Sequence, residues 1–480
     1  MKILFVASEC APFVKTGGLA DVVGAVPKAL EPLGAEVKII LPAYPALAPQ
    51  VADGDVVHEF ADLFGGPARL VAARAEGLNL LLLDAPHLYD RAGSIYLNDT
   101  GQDWEDNYLR FGALCVAATM VALDGVAGWK PQLVHAHDWQ AGLIPLLIKM
   151  ADRSDAPRTI LTIHNIAFQG LFPWTTKDLF NIPDHLFTHE GAEFYGQLGF
   201  LKSGLAFADK ITTVSPTYAR ELLTPSFGMG LDGLLQARQH DLSGILNGID
   251  LDIWNPQTDP ALPANYSARN RVNKRKCRDA VASRFGLSVE PNTPLFCVVS
   301  RLTEQKGLDL LLQVLPDLVE RGGRLAVLGS GSPELEQGFQ SAAETFAGKV
   351  GVVIGYDEAL SHLMQGGSDA ILVPSRFEPC GLTQLYGLRY GTLPVVAQTG
   401  GLADTVVDAT KENLKAKTAT GVQFSPIDAH HLGRAIERTC DLFAKPKVWK
   451  AMMGTAMRTP VGWADSAPKY LDLYRDVAAV

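Results

Sequence analysis

Short apolar runs rich in valine, isoleucine and leucine recur at residues 3–7, 36–41, 79–83, 132–136, 159–163 and 210–214, mostly with helix-like segments between them. A second series begins at Leu295–Ser300 and continues through Leu325–Leu328, Val350–Ile354, Ala370–Val373 and Leu393–Ala397, spaced for crossover helices. Runs that stay apolar instead of alternating belong to strands covered on both faces, so the pattern predicts α/β architecture with parallel sheets. Between the two series, residues 246–275 include a polar, proline- and asparagine-bearing stretch that breaks the periodicity, and the domain boundary is placed near residue 246. The tail carries Trp463 and then Tyr470, Leu473, Tyr474 and Val477 at three- and four-residue spacing, which predicts a closing helix packed on another domain. The expected layout is a domain over 1–245, a second over 246–457, and a terminal helix over 458–480.

Length agrees with two domains, since 480 residues exceed the ~100–200 that one compact core needs. The hydrophobic fraction of 47% and charged fraction of 20% describe a chain able to bury large cores, which excludes a disordered protein. A formal charge of −10 without a dense basic run argues against nucleic acid as a partner. Six cysteines without CxxC spacing fit reduced thiols, and hence a cytoplasmic protein. The first apolar run stops at Ala7 and meets Ser8, Glu9 and Pro12, so it reads as a strand and not a signal peptide. No stretch approaches the ~18–20 uninterrupted apolar residues of a membrane helix.

Candidate chemistry gathers where strands end. After residues 3–7 come Lys15, Thr16, Gly17, Gly18, Leu19, Ala20 and Asp21 and then a helical pattern; two glycines let backbone amides approach an anion, with Lys15 as a mobile cation, although Gly-Gly before a helix also makes a simple tight turn. The same TGGLAD string returns at Thr399–Asp404, which suggests a second such nest. The dinucleotide fingerprint GxGxxG is missing, since Gly329, Ser330 and Gly331 continue into Ser332, Pro333 and Glu334.

Arg301 and Lys306 follow the strand at 295–300, where open α/β sheets bind ligands, and such a pair stabilises a departing nucleoside diphosphate; the same residues in a βα loop are also ordinary solvated surface. Pro374–Gln384 places Glu378 after another buried strand, suited to sugar hydroxyls, with the amides of Gly381, Leu382 and Thr383 facing phosphates if a helix starts there. His137, Asp138, His164 and Asn165 fall at strand ends in the first half. A zinc site finds no HExxH and no cysteine partners, and the acidic pairs at Asp53, Asp55 and at Asp250, Asp252 read as turns, so no metal and no cofactor are assigned. Tyr356 offers either a face for a nucleobase or a packing ring.

Taken together, KTGGLADVVGA with Pro27, HAHDW at 135–139, His164-Asn165, NGID at 247–250, SRLTEQKG at 300–307, PSRFEPCGLTQLYGLRYGTLPVV at 374–396 and the second TGGLAD resemble bacterial glycogen and plant starch synthases over nearly the whole chain. The resemblance implies a GT-B fold, two Rossmann-like domains facing a deep interdomain cleft, and retaining transfer of glucose from ADP-glucose to the non-reducing end of an α-1,4-glucan without a metal. It also implies roles: Arg301 and Lys306 on the diphosphate, Glu378 on the glucose, Asp138 and His164 lining the sugar site, Lys15, Gly18 and Asp21 touching the donor, and Asn247, Tyr356 and Thr383 as further nucleotide or sugar contacts. Many related retaining transferases carry a second glutamate eight positions after the first, whereas this chain has Tyr386 there, so a ribose contact from that carboxylate is replaced or absent. No carboxylate in these motifs stands out as a covalent nucleophile, which leaves same-face attack assisted by the departing phosphate, with domain closure excluding water. Competing expectations are a GT-B transferase using UDP-glucose or a small acceptor, a two-lobed sugar-binding protein, and a dehydrogenase.

Overall fold

The computed structural model describes residues 1–479. These fall into two compact units, one of Met1–Val214, Ala219–Ile245 and Ser466–Val480, the other of Ser215–Tyr218 and Leu246–Asp465.

The first unit is built on a nine-stranded sheet. Across it run Leu242–Gly244, Lys210–Thr213, Arg158–Ile163, Leu133–His137, Lys2–Val6, Glu36–Pro42 and Leu78–Asp84, all parallel, and then Ala68–Ala75 and Asp55–Phe60, which are antiparallel. Lys2–Val6 is almost wholly buried, which is why Ile3–Val6 reads as an unbroken apolar run, and Leu133–His137 is wholly buried although it carries His135 and His137. Four strands lie on either side of Lys2–Val6, the chain building Glu36–Pro42, Asp55–Phe60, Ala68–Ala75 and Leu78–Asp84 on one flank before crossing to the other, so the sheet reverses between Lys2–Val6 and Leu133–His137. The loops that leave these two strands therefore flank a switch point, where such sheets bind ligands. A separate three-stranded antiparallel sheet (Leu171–Pro173, Gln197–Gly199, Glu193–Phe194) stands on the same unit.

The second unit has six parallel strands in the spatial order Val350–Ile354, Arg324–Gly329, Leu295–Val299, Ala370–Val373, Leu393–Ala397 and Val422–Phe424. Numbered along the chain, this is 3-2-1-4-5-6, the order of the Rossmann fold, with its reversal between Leu295–Val299 and Ala370–Val373. One face of the sheet packs Phe296, Val298, Leu325, Val327 and Val395 with Leu311 and Leu388, and the opposite face packs Leu295, Cys297, Ala326, Leu328 and Ile371.

The closing helix, Trp463–Ala478, buries Ala467, Tyr470, Leu471, Tyr474 and Val477. Leu471, not Leu473, completes the stripe: Leu473 is only half-buried. From this helix the Tyr474 hydroxyl meets His135 Nδ1 at 2.8 Å, inside the first unit. Among the described residues no helix is long and apolar enough to cross a membrane.

Candidate functional site

At the reversal of the second sheet, a pocket is lined by Val299, Ser300, Lys306, Leu308, Leu372, Val373, Pro374, Ser375, Glu378 and Thr383. Two residues singled out in the sequence meet there: Lys306 Nζ lies 2.6 Å from Glu378 Oε2, and Ser375 Oγ donates to the same oxygen at 3.0 Å. Glu378 is buried, so its charge depends on that ammonium and hydroxyl in place of water. Arg301 is exposed, and among the described residues its guanidinium has no hydrogen-bond or ion-pair partner. The two loops are locked together by a pair that motif reading missed. Arg376 reaches back to Asp309 through two hydrogen bonds, 2.6 and 2.7 Å, and its amide donates to Gln305 O at 2.9 Å. Gly307 permits the same approach: at φ +68, its Cβ would stand 2.0 Å from Pro374 O.

A helix does begin at Thr383, with Leu382 at its N-cap and Gly381 turned to φ +69 just before it. Thr383, whose amide is orphaned by helix geometry, lines the same pocket. Asn247 sits behind this loop, its backbone amide directed at the Cys380 sulfur. Its side-chain Oδ1 is buried and accepts no bond among the described residues. A buried acceptor left open in this way suits a ligand hydroxyl. Tyr356 stands 82% exposed after Gly355, which argues against the packing role. Tyr386 stacks on Trp254 at 3.6 Å and 11°, and Trp254 stacks in turn on His362 at 3.8 Å. An aromatic stack thus occupies the place where a second glutamate is expected.

The second TGGLAD string is not an anion nest. Gly401 donates to the carbonyls of Glu378 and Pro379, both at 3.1 Å, and its Cβ would lie 2.2 Å from Cys380 O. At Gly400, φ +44, a Cβ would lie 1.9 Å from Glu378 O. These glycines let two backbone segments touch and so hold the Glu378 loop from behind; they leave no room for phosphate.

In the first unit the corresponding glycines face open space: a Cβ on Gly17 or Gly18 would meet nothing within 4 Å. Yet the anion expected at this turn is supplied by the chain itself. Buried Glu9 accepts from Thr16 N at 2.5 Å, Gly17 N at 3.2 Å, Thr16 Oγ1 at 2.6 Å and the Tyr96 hydroxyl at 2.5 Å. Lys15 is not a loose cation either; its ammonium lies 2.7 Å from Asp21 Oδ1. The turn is therefore preorganised by Glu9, with Gly18 at the start of the helix Gly18–Leu30.

Across the switch point, Asp138 adopts φ 56 and ψ −169, backbone space nearly confined to glycine that costs on the order of 1–3 kcal/mol. The strain aims its carboxylate back at the chain, where Oδ1 accepts from His164 N at 2.7 Å. Burial pushes the Asp138 carboxyl up to about 7, opposed by the amides of His164 and Asn165. In this structure Asp138 positions the His164 loop, and no open carboxylate is presented to a sugar. His164 Nε2 pairs with His137 Nδ1 at 3.0 Å. Burial holds His164 and His135 down to about 3 and His137 well below its ordinary value, so all three rings are neutral near pH 7. Asp250 accepts from the amides of Asp252 and Ile253, the turn expected of that acidic pair.

Sequence reasoning missed Glu9, Tyr96 and the Arg376–Asp309 lock. Only Glu9 left a trace, a carboxylate directly after a buried strand and before a glycine turn.

Comparison with known proteins bears on this geometry. Residues 2–237 match the family described as starch synthase catalytic domain, and residues 281–450 match glycosyl transferases group 1. The chain is 64% identical to a glycogen synthase of Roseobacter denitrificans over 99% of both chains, and 55% identical to one of Paracoccus denitrificans over 100% of both. Among solved structures, the catalytic domain of starch synthase IV from Arabidopsis thaliana, bound to ADP and acarbose, superposes with a TM-score of 0.88 at 32% identity, covering 100% of this chain and 99% of that one. A sucrose-phosphate synthase from Thermosynechococcus elongatus shares the fold alone, with a TM-score of 0.62 at 17% identity, over 100% of this chain and 99% of that one.

Proposed function

The chain belongs to the glycogen synthase family of GT-B glycosyltransferases, and from that premise we propose that it transfers glucose from ADP-glucose to the non-reducing end of an α-1,4-glucan, with retention at the anomeric carbon and release of ADP. The observation that carries the reading is the Lys306–Glu378 pair at the switch point beside an unpaired Arg301. A nucleoside diphosphate leaving group gathers negative charge as the glycosidic bond breaks, and fixed cations stabilise that charge more than they stabilise the donor's ground state. Arg301 is open to the diphosphate, whereas Lys306 must be shared between the phosphates and Glu378. As it turns, Glu378 is left to accept hydroxyls of the glucose.

Asn247 Oδ1, the amides of Gly381, Leu382 and Thr383, and the face of Tyr356 supply further donor contacts. Lys15, Gly18, Asp21 and His164 supply the first domain's share, with Asp138 acting through the His164 loop. Because no open carboxylate lies among these groups, the acceptor hydroxyl attacks from the face the diphosphate leaves, and a departing phosphate oxygen takes its proton. Two cations on the leaving group serve the purpose a divalent ion serves elsewhere, so transfer is expected to survive chelation. That ADP accompanies the Arabidopsis relative supports adenine as the base.

The test is incorporation of labelled glucose into glycogen from ADP-glucose and UDP-glucose in parallel, with EDTA present, by the native enzyme and by Glu378→Ala. Incorporation from ADP-glucose that collapses in the variant is expected. Equal use of UDP-glucose would overturn the donor assignment, and an undiminished Glu378→Ala enzyme would overturn the site.

A further inference from the structure

Three exposed apolar side chains of the first domain gather beside the His164 loop: Phe168 at 58% exposure, Met229 at 45% and Tyr195 at 82%. Gln169 Nε2 donates to Met229 O at 3.1 Å, which joins the Phe168 turn to the Met229 turn. A Cβ on Gly230 would lie 3.5 Å from Tyr195 Cε2, which joins Met229 to Tyr195. The ridge continues the candidate site: Phe168 N donates to Asn165 O at 3.2 Å, on a turn that starts one residue after His164.

Folding alone does not account for Tyr195. It occupies the first position of the two-residue turn between Glu193–Phe194 and Gln197–Gly199, at φ 48 and followed by Gly196 at φ 79. Asparagine, aspartate and glycine suit that position, while a bulky ring is strained there. Its ring touches Phe194 edge-on at 4.7 Å and otherwise projects into solvent, so little burial offsets the strain. Met229 is held in the same left-handed region, φ 48. Strain kept at exposed apolar groups marks a surface completed by something else.

The chemistry of the ridge narrows what that is. Glu193 turns its carboxylate into the hairpin, accepting from Gly196 N at 2.5 Å, and Lys202 points inward to carbonyl oxygens of His189 and Glu193. Both of these charges are thus engaged by the backbone, and the apolar faces stand next to Gln169 Oε1, a buried acceptor with no partner among the described residues. An uncharged ligand with apolar faces and hydroxyl edges fits, and a glucopyranose ring has both. We propose that Tyr195, Phe168 and Met229 form a stacking ridge for the α-glucan chain, holding glucose units beyond the one that accepts the transferred sugar. This inference rests on the glucan-transferring function proposed above.

The experiment uses the full-length enzyme, Tyr195→Asn and Phe168→Ala. Asparagine suits the turn, so Tyr195→Asn is expected to melt at the native temperature or above it, which separates recognition from folding. Maltoheptaose binding, measured by calorimetry, is expected to weaken five- to tenfold in each variant, with KM for glycogen rising in step. KM for ADP-glucose and kcat at saturating glycogen should stay within twofold. Unchanged glucan binding in both variants overturns the ridge while leaving the proposed function standing, and so does a concentration-dependent dimer of the native protein that the variants lose without losing glucan. A native enzyme that binds no maltoheptaose and transfers glucose to no glucan overturns the proposed function and the ridge together.

Discussion

Alanine at the second glycine of the two TGGLAD copies should have opposite consequences. In Gly401→Ala the new Cβ falls 2.2 Å from Cys380 O and 2.5 Å from Cys380 Cα, both backbone atoms that no rotamer can move aside. Ordinary contact needs well over 3 Å, so the helix start or the Glu378–Cys380 loop must shift by about 1 Å or more, at ~1–3 kcal/mol for overpacking. The shift also loosens the bonds from Gly401 N to Glu378 O and Pro379 O. Losing one adds about 1 kcal/mol. A total of about 2–4 kcal/mol lowers the melting temperature of a domain this size by about 5–15 °C. Gly18→Ala meets nothing within 4 Å and sits in the first turn of a helix, where alanine stabilises by about 0.4–1 kcal/mol through the unfolded state. Its melting temperature should hold or rise. If Gly18 keeps the turn open for the donor, kcat/KM for ADP-glucose nevertheless falls about tenfold, the equivalent of about 1.4 kcal/mol. Differential scanning fluorimetry beside a coupled ADP-release assay reads both quantities. A Gly401→Ala protein that melts with the native enzyme refutes the packing argument; a Gly18→Ala enzyme of full efficiency refutes a role for that open space.

Glu378→Gln keeps a partner for Ser375 but leaves the half-buried Lys306 ammonium without its counter-charge. Turnover should fall about 10²- to 10³-fold with the donor site still able to bind ADP, measured by labelled glucose transfer and by calorimetry. Glu9→Gln sets an amide NH2 against the donors from Thr16, Gly17 and Tyr96, at about 1–3 kcal/mol, and should raise KM for ADP-glucose as the glycine turn loosens. The pH dependence follows from the buried rings. His135, His137 and His164 have depressed folded values, so the unfolded chain binds more protons below pH 6.5, and stability from these groups is lost as pH falls. Asp138 opposes them, because its raised value makes the folded form hold a proton that the unfolded form releases between about pH 4 and 7. Three histidines against one aspartate leave a net uptake of two protons on unfolding, a slope of up to about 2.7 kcal/mol per pH unit between pH 4 and 6.5. Urea midpoints for the first domain should therefore drop from pH 7 to pH 5, and a flat profile would contradict the neutral histidine cluster.

The parallel strands were legible because burial on both faces favours continuous apolar residues, and Lys2–Val6, Leu295–Val299 and Ala370–Val373 show it directly. The loops that bear Arg301, Lys306, Glu378 and Asp138 were legible for the same reason, since they follow those runs. Strands at the sheet margins were not. Asp55–Phe60 has exposed positions on both sides and Leu242–Gly244 spans three residues, so neither repeats a pattern long enough to recognise. Partners across long loops were hidden as well: nothing near Arg376 in the chain announces Asp309, and nothing near Glu9 announces Tyr96.

The repeated TGGLAD string marks the division most clearly. Its letters determine that a helix starts after two residues without side chains, and they determine this twice. Whether those glycines admit a ligand or admit the chain's own backbone depends on what stands opposite. For Gly18 that is open space, and for Gly401 it is the carbonyl of Cys380. A local sequence specifies which approaches are permitted; only the tertiary fold, by bringing distant segments within contact distance, specifies which approach occurs.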